Sequence, residues 1–160
     1  MTKPIHAILI GAGNRGAQNY APYALHHPDE LKFVAVAEPN ETRRKAFAEQ
    51  HQIPEEMQFE SWEPLLEKPA LWDVAFISTQ DWQHTAPAVA AMRAGYHILL
   101  EKPMANKLEE CKLLLQVSQE SQRQMRICHV LRYTPHFRKM RELVQSGVLG
   151  QVVQVDHREN

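Results

Sequence analysis

The sequence predicts an α/β protein built on a doubly wound parallel sheet, and three observations carry that expectation. Short, continuous apolar runs recur at 5–10, 31–37, 72–77, 96–100 and 125–131. They lack polar alternation, as strands covered on both faces do. The segments between them have helical spacing and end signals, and strand, helix, strand in this rhythm places helices on both sides of a parallel sheet. The first run also passes directly into Gly11-Ala12-Gly13-Asn14-Arg15-Gly16, a loop that turns a strand sharply into a helix.

Each glycine in that loop has its own task. Gly11 permits the tight turn, Gly13 lets a phosphate-bearing ligand approach the backbone, and Gly16 allows close packing of helix on strand. Pro22 falls inside the helix that follows and should kink or shorten it. The second run ends at Glu38, 22 residues past Gly16. A carboxylate there accepts hydrogen bonds from ribose hydroxyls, while free N–H groups at the helix start face phosphates. Strand, loop, helix and acid in this order mark a dinucleotide site at Gly11, Ala12, Gly13, Asn14, Arg15, Gly16 and Glu38. The Glu38 carboxylate favours the free diol of NAD over the 2′-phosphate of NADP. Arg43 and Arg44 can turn back onto such a phosphate, which keeps NADP possible, but arginines in the first turn of that helix are expected to face solvent.

The remaining elements follow in order. Asn40 is expected to cap a helix through Glu49, and 57–59 adds a short strand. After the run at 72–77, Ser78, Thr79 and Asp81 are placed to touch ribose and phosphates, or to cap the helix beginning near Thr85 and ending at Gly95. Glu101-Lys102-Pro103 follows the next run. Asn106 and Glu109 have capping-box spacing ahead of Leu108, Cys111, Leu114 and Leu115 on one helical face. Thr134, Pro135 and Gly147 bracket a last helix carrying Phe137, Met140, Leu143 and Val144. Beyond Gly150, residues 151–158 alternate apolar and polar, the pattern of a half-exposed antiparallel strand opening a second sheet. Residues 1–131 thus read as one domain, and 132–160 as a crossover helix and the start of a truncated second one.

Composition excludes several classes. Lys plus Arg total 18 against 19 Asp plus Glu, a net charge of −1, which offers nothing to nucleic acid or an anionic membrane. The first apolar run is too short for a membrane span or a signal peptide. Cys111 and Cys128 read as core thiols in a reducing, cytoplasmic compartment. The nine histidines show no compact ligand spacing, so no metal site is expected. Trp62, Trp72 and Trp82 read as packing residues.

Taken together, Gly11 to Gly16, Ala37-Glu38-Pro39, Ile77-Ser78-Thr79-Gln80-Asp81 with His84, and Glu101-Lys102-Pro103 resemble the Gfo/Idh/MocA oxidoreductases in order and spacing. The segment His129-Val130-Leu131-Arg132-Tyr133-Thr134-Pro135 and Gly147-Val148-Leu149-Gly150 resemble the family's passage into its second domain. The resemblance covers essentially the whole chain, and Glu101-Lys102-Pro103 is its most specific part. It implies a Rossmann domain for NAD or NADP ahead of an antiparallel-sheet domain that takes sugars, cyclitols or their derivatives, and often associates into oligomers. A minority branch hydrolyses glycosidic bonds with a tightly held NAD.

Roles follow residue by residue. Lys102 sits past a strand's carboxyl end, where ligands of such sheets collect, and its ammonium can hydrogen-bond the reacting oxygen and the nicotinamide ribose, stabilising charge as hydride moves. Glu101 is placed to hold Lys102, and Pro103 to fix the backbone beyond it. His84 resembles the family histidine near the nicotinamide. Arg132 and Tyr133 are candidates for substrate contact or for hinge packing. The family's usual Asp and His on a helix of the second domain have no counterpart here, so this chain is expected to bind cofactor with little turnover. A methyltransferase would share the loop and the acid but leave Glu101-Lys102-Pro103 without a purpose. A nucleotide-sensing module would bind cofactor without chemistry.

Overall fold

The computed structural model describes residues 3–67 and 72–158. They form two compact units, divided between Cys128 and His129. The first unit holds six strands: β1 (Ile5–Ile10), β2 (Leu31–Ala37), β3 (Gln58–Phe59), β4 (Val74–Ile77), β5 (His97–Leu100) and β6 (Met125–Ile127). Its helices are α1 (Ala21–His26), α2 (Glu41–His51), α3 (Trp62–Leu66), α4 (Thr85–Ala94) and α5 (Leu108–Ser121). All strand pairs are parallel, in the order β3-β2-β1-β4-β5-β6. That order reverses direction between β1 and β4, and ligands of open α/β sheets bind outside the strand ends at such a point.

Alternation along β1 divides the core. Ile8 and Ile10 face one side, with Ala75, Ile77, Ile98 and Leu100, against Leu65, Met92, Leu114 and Val117 of α3, α4 and α5. Ala7 and Leu9 face the other, with Phe33 and Val36, against Ala21, Ala24, Phe47 and Ala48 of α1 and α2. Each fully buried Leu or Ile contributes roughly 1.5–3 kcal/mol. The sheet is therefore held from both faces near its centre, where the glycine loop leaves it.

Local signals explain some of the helix ends. Asn40 Oδ1 accepts from the Arg43 N–H at 2.9 Å and caps α2. Gly95, at φ 106°, ends α4 in the left-handed region. Pro22 occupies the first turn of α1, and ahead of it Asn14–Tyr20 winds as a wide π-helical segment. The capping box expected at Asn106 does not form: Lys107 precedes α5 and no side chain caps it. The buried face of α5 is Leu114 and Val117, whereas Leu108 and Leu115 are exposed on its flank. Trp72 precedes β4, Tyr96 precedes β5, and β6 stops at Ile127.

His51, the last residue of α2, is wedged against Phe33 and Phe47, with ring centroids 5.3 and 4.4 Å away. Burial holds its imidazole below the usual range. The unfolded chain therefore takes up a proton that the folded unit resists, so this contribution is present above about pH 6.5 and lost as pH falls below it. We expect the unfolding temperature to drop between neutral pH and pH 5.5, and to drop less in His51→Leu. Parallel slopes for both proteins would overturn the assignment.

The second unit contains a 3₁₀ turn at Val130–Tyr133 and α6 (Pro135–Gln145), which carries Phe137, Met140, Leu143 and Val144 along one face. Gly147 and Gly150, both at positive φ, form the turn after it. The strand expected over 151–158 does not form. Among the described residues nothing pairs with this segment, and Val153 and Val155 stand 90% and 75% exposed. An alternating pattern specifies which face a strand would bury, but a strand needs a ladder partner.

Candidate cofactor-binding site

The predicted site residues lie one step beyond the strands, where the ladder still fixes their backbones. Gly11 N–H donates to the Ala37 carbonyl, Ser78 N–H to Ile10, Glu101 N–H to Ile77 and Glu38 N–H to Phe59, all at 2.8–2.9 Å. Gly11, Gly13, Glu38, Ser78, Thr79 and Asp81 thereby line one cleft of about 480 Å³ at the carboxyl ends of β1, β2 and β4. A second cleft of about 460 Å³ shares Gly11 and Thr79 and extends towards Trp62 and Trp82. A larger groove, about 880 Å³, lies elsewhere on the unit and is lined mainly by apolar residues such as Val74, Phe76 and Leu99.

The loop fits a dinucleotide. Gly11 sits at φ 93°, and Gly13 opens onto space, with no atom of the described residues within 4 Å of where a side chain would begin. Gly16 is pressed against the Gly11 carbonyl and the Leu9 side chain. Thr79 Oγ1, in the wall of both clefts, is buried without a hydrogen-bond partner. An open backbone beside an unsatisfied hydroxyl is what an incoming polar ligand requires.

Glu38 is more engaged than its spacing implied. Its carboxylate is buried and accepts from the Ala12 N–H at 2.8 Å and the Asn40 N–H at 3.0 Å. Arg43 stays largely exposed, as expected, while bridging to the same group at 3.0 Å. Arg44 is buried instead, its guanidinium donating to the Glu38 carbonyl at 2.6 Å. Glu38 thus ties the glycine loop to the start of α2, an arrangement visible only once β1 and β2 are paired.

Past β5 lies a second group. Glu101 is 5% exposed; one carboxylate oxygen accepts the Lys102 N–H at 2.7 Å, and the other accepts the Tyr20 hydroxyl and faces Arg15 Nε at 3.8 Å. Lys102 is exposed, and a cis peptide joins it to Pro103. His84 is fully buried; its Nδ1 lies 2.7 Å from the Pro103 carbonyl, and its Nε2 3.3 Å from that of Thr79. It therefore stands behind the cleft wall, bracing the lysine's loop against the β4 end. Asn14 is exposed and bonds along its own helix, to Gln18 and Asn19. Arg132 and Tyr133 lie exposed in the second unit. Trp62 and Trp72 pack on the core, but Trp82 is 68% exposed and lines both clefts. Cys111 and Cys128 are free thiols. Among the described residues no helix is long and apolar enough to cross a membrane.

Comparison with known proteins is consistent with this geometry. Residues 5–129 match the model of an oxidoreductase family with an NAD-binding Rossmann fold. The chain belongs to the Gfo/Idh/MocA family. Human trans-1,2-dihydrobenzene-1,2-diol dehydrogenase is 32% identical over 123 residues, 76% of this chain and 35% of that protein. An α-N-acetylgalactosaminidase from Bacteroides fragilis is 25% identical over 156 residues, 95% of this chain and 36% of its own length. Among solved structures, the WlbA dehydrogenase from Chromobacterium violaceum, in complex with NADH and UDP-GlcNAcA, superposes with a TM-score of 0.85. It is 19% identical and covers 94% of this chain and 42% of its own. The chain therefore spans less than half the length of these Gfo/Idh/MocA relatives.

Proposed function

We propose that this chain is the NAD-binding portion of an oxidoreductase. The intact protein would move hydride between the nicotinamide and a C–OH/C=O centre of a sugar, cyclitol or related molecule, and the chain alone would bind cofactor with little turnover. One observation carries the reading: an open glycine loop, a buried carboxylate and a lysine whose loop is held by Glu101 and His84 each follow the carboxyl end of a strand in one sheet. When bound there, the dinucleotide supplies or accepts the hydride. Gly13 and its neighbours admit the pyrophosphate, Glu38 faces the adenosine ribose, and the Lys102 ammonium donates to the reacting oxygen as charge builds. Two free thiols suit a reducing, cytoplasmic setting.

The buried Glu38 carboxylate disfavours a 2′-phosphate, and Arg43 is already engaged with it. We expect NADH to bind this chain about tenfold tighter than NADPH, roughly 1.4 kcal/mol, in a direct titration. Tighter binding of NADPH would overturn the preference for NAD. The likeness to the α-N-acetylgalactosaminidase favours a second reading, an NAD-dependent glycosidase on the same site. Product analysis of the intact protein separates them: net NADH formation marks the oxidoreductase, and released sugar without it marks the glycosidase.

A further inference from the structure

The π-helical stretch Asn14–Tyr20 is the least regular element of the first unit, and it stands directly after the glycine loop. In an α-helix, at about 100° per residue, positions i and i+5 point roughly 140° apart. The wider π turn, bonded i to i+5, brings them to one side. The Ala21 N–H accordingly donates to the Gly16 carbonyl, and the Asn19 side chain reaches back to Asn14 at 2.8 and 3.0 Å. The same offset relates Arg15 and Tyr20. Both reach one oxygen of Glu101, 81 residues beyond Tyr20 in sequence.

We propose that Tyr20 is a positioning residue for Lys102, its hydroxyl holding the Glu101 carboxylate that in turn fixes the lysine's backbone. The inference rests on the reading of Lys102 given above. Glu101 is buried, and its other oxygen is committed to the Lys102 N–H. Without the tyrosine hydroxyl, among the described residues the first oxygen keeps only Arg15 at 3.8 Å, and Arg15 is half exposed. The Tyr20 ring is itself seated against Phe76 of β4, centroids 6.4 Å apart. Burial, with hydrogen bonding to Cys128 and Glu101, pushes the phenol above its ordinary pKa and keeps it a donor. The clamp connects the helix that follows the phosphate loop to the loop that carries the lysine, so the two halves of a dinucleotide site share one carboxylate.

The test compares NADH with ADP-ribose, which lacks the nicotinamide, by titration into the 160-residue chain. Tyr20→Phe keeps the ring and removes the donor. We expect it to weaken NADH roughly tenfold, the scale of one hydrogen bond to a charged group, and to leave ADP-ribose unchanged. In a Glu101→Ala background, Tyr20→Phe should cost NADH nothing more, a non-additivity that a packing role would not produce. Equal loss of both ligands, no loss of either, or an undiminished loss in the Glu101→Ala background would overturn the proposal. A wild-type chain that binds ADP-ribose and NADH equally would overturn it as well. Failure of the wild type to bind either ligand would instead overturn the cofactor-binding reading. Thermal unfolding of each variant, run alongside, ensures that folded protein is compared.

Discussion

Gly11→Ala is expected to destabilise the first unit by about 2–4 kcal/mol, and with it to abolish dinucleotide binding. Two effects combine. The backbone at φ 93° is one that a residue with a side chain rarely adopts. The added Cβ would also stand 2.6 Å from the Ser78 carbonyl oxygen and 2.9 Å from the Thr79 nitrogen. Those are backbone atoms of the β4 end, where Ser78 N–H is already bonded to Ile10 at 2.8 Å, so no flexible side chain can yield. Relief requires moving Ser78 and Thr79, which line the cleft. Against a typical domain stability of about 5–15 kcal/mol, the loss is large. Gly13→Ala is the matched control. Its Cβ meets nothing, so unfolding should shift by less than about 0.5 kcal/mol while the methyl group intrudes where the pyrophosphate approaches. Urea unfolding and NADH titration of the pair check this directly. An unchanged midpoint for Gly11→Ala would sink the tight-turn account, and unchanged NADH affinity for Gly13→Ala would sink the open-approach account.

The contrast between those glycines also shows what a sequence can and cannot disclose. The loop, its strand and the acid at Glu38 were readable because a local motif imposes local spacing, and the apolar runs were readable because burial on both faces leaves no alternation. The order β3-β2-β1-β4-β5-β6 was not, since pairing between distant strands leaves no mark on either run. Glu38 shows the same limit. Its identity suggested a ribose contact, but its bonds to Ala12 and Arg43 depend on how β1 and β2 are paired. His84 resembled a cofactor contact, yet its burial behind Thr79 and Pro103 is decided by the packing of α4. Tyr20 carried no signal, because regular helical periodicity would have pointed it away from Arg15. The segment 151–158 is the opposite case: its alternation is plain in the sequence, but among the described residues no partner strand stands beside it.

Lys102→Met in the intact protein is expected to lower kcat by about 10²–10³, roughly 2.7–4 kcal/mol, the usual cost of removing one donor to developing charge. The side chain is exposed and makes no core contact, so the unfolding midpoint should remain within about 0.5 kcal/mol of wild type. What holds the residue is its backbone, through the Glu101 carboxylate on one side and the Pro103 carbonyl's bond to His84 on the other. Methionine preserves the stem and that backbone, so the variant removes the ammonium and little else. Lys102→Arg should not restore the rate, because a planar fork cannot place a single donor where a compact ammonium does. The expected signature, read at saturating NADH, is a fall in kcat and kcat/KM together, beside a weakening of NADH at least as large as that of Tyr20→Phe. A rise in KM at constant kcat would assign Lys102 to substrate binding alone. Unchanged kinetics would remove it from the chemistry, and the bracing by Glu101 and His84 would then serve only to shape the end of β5.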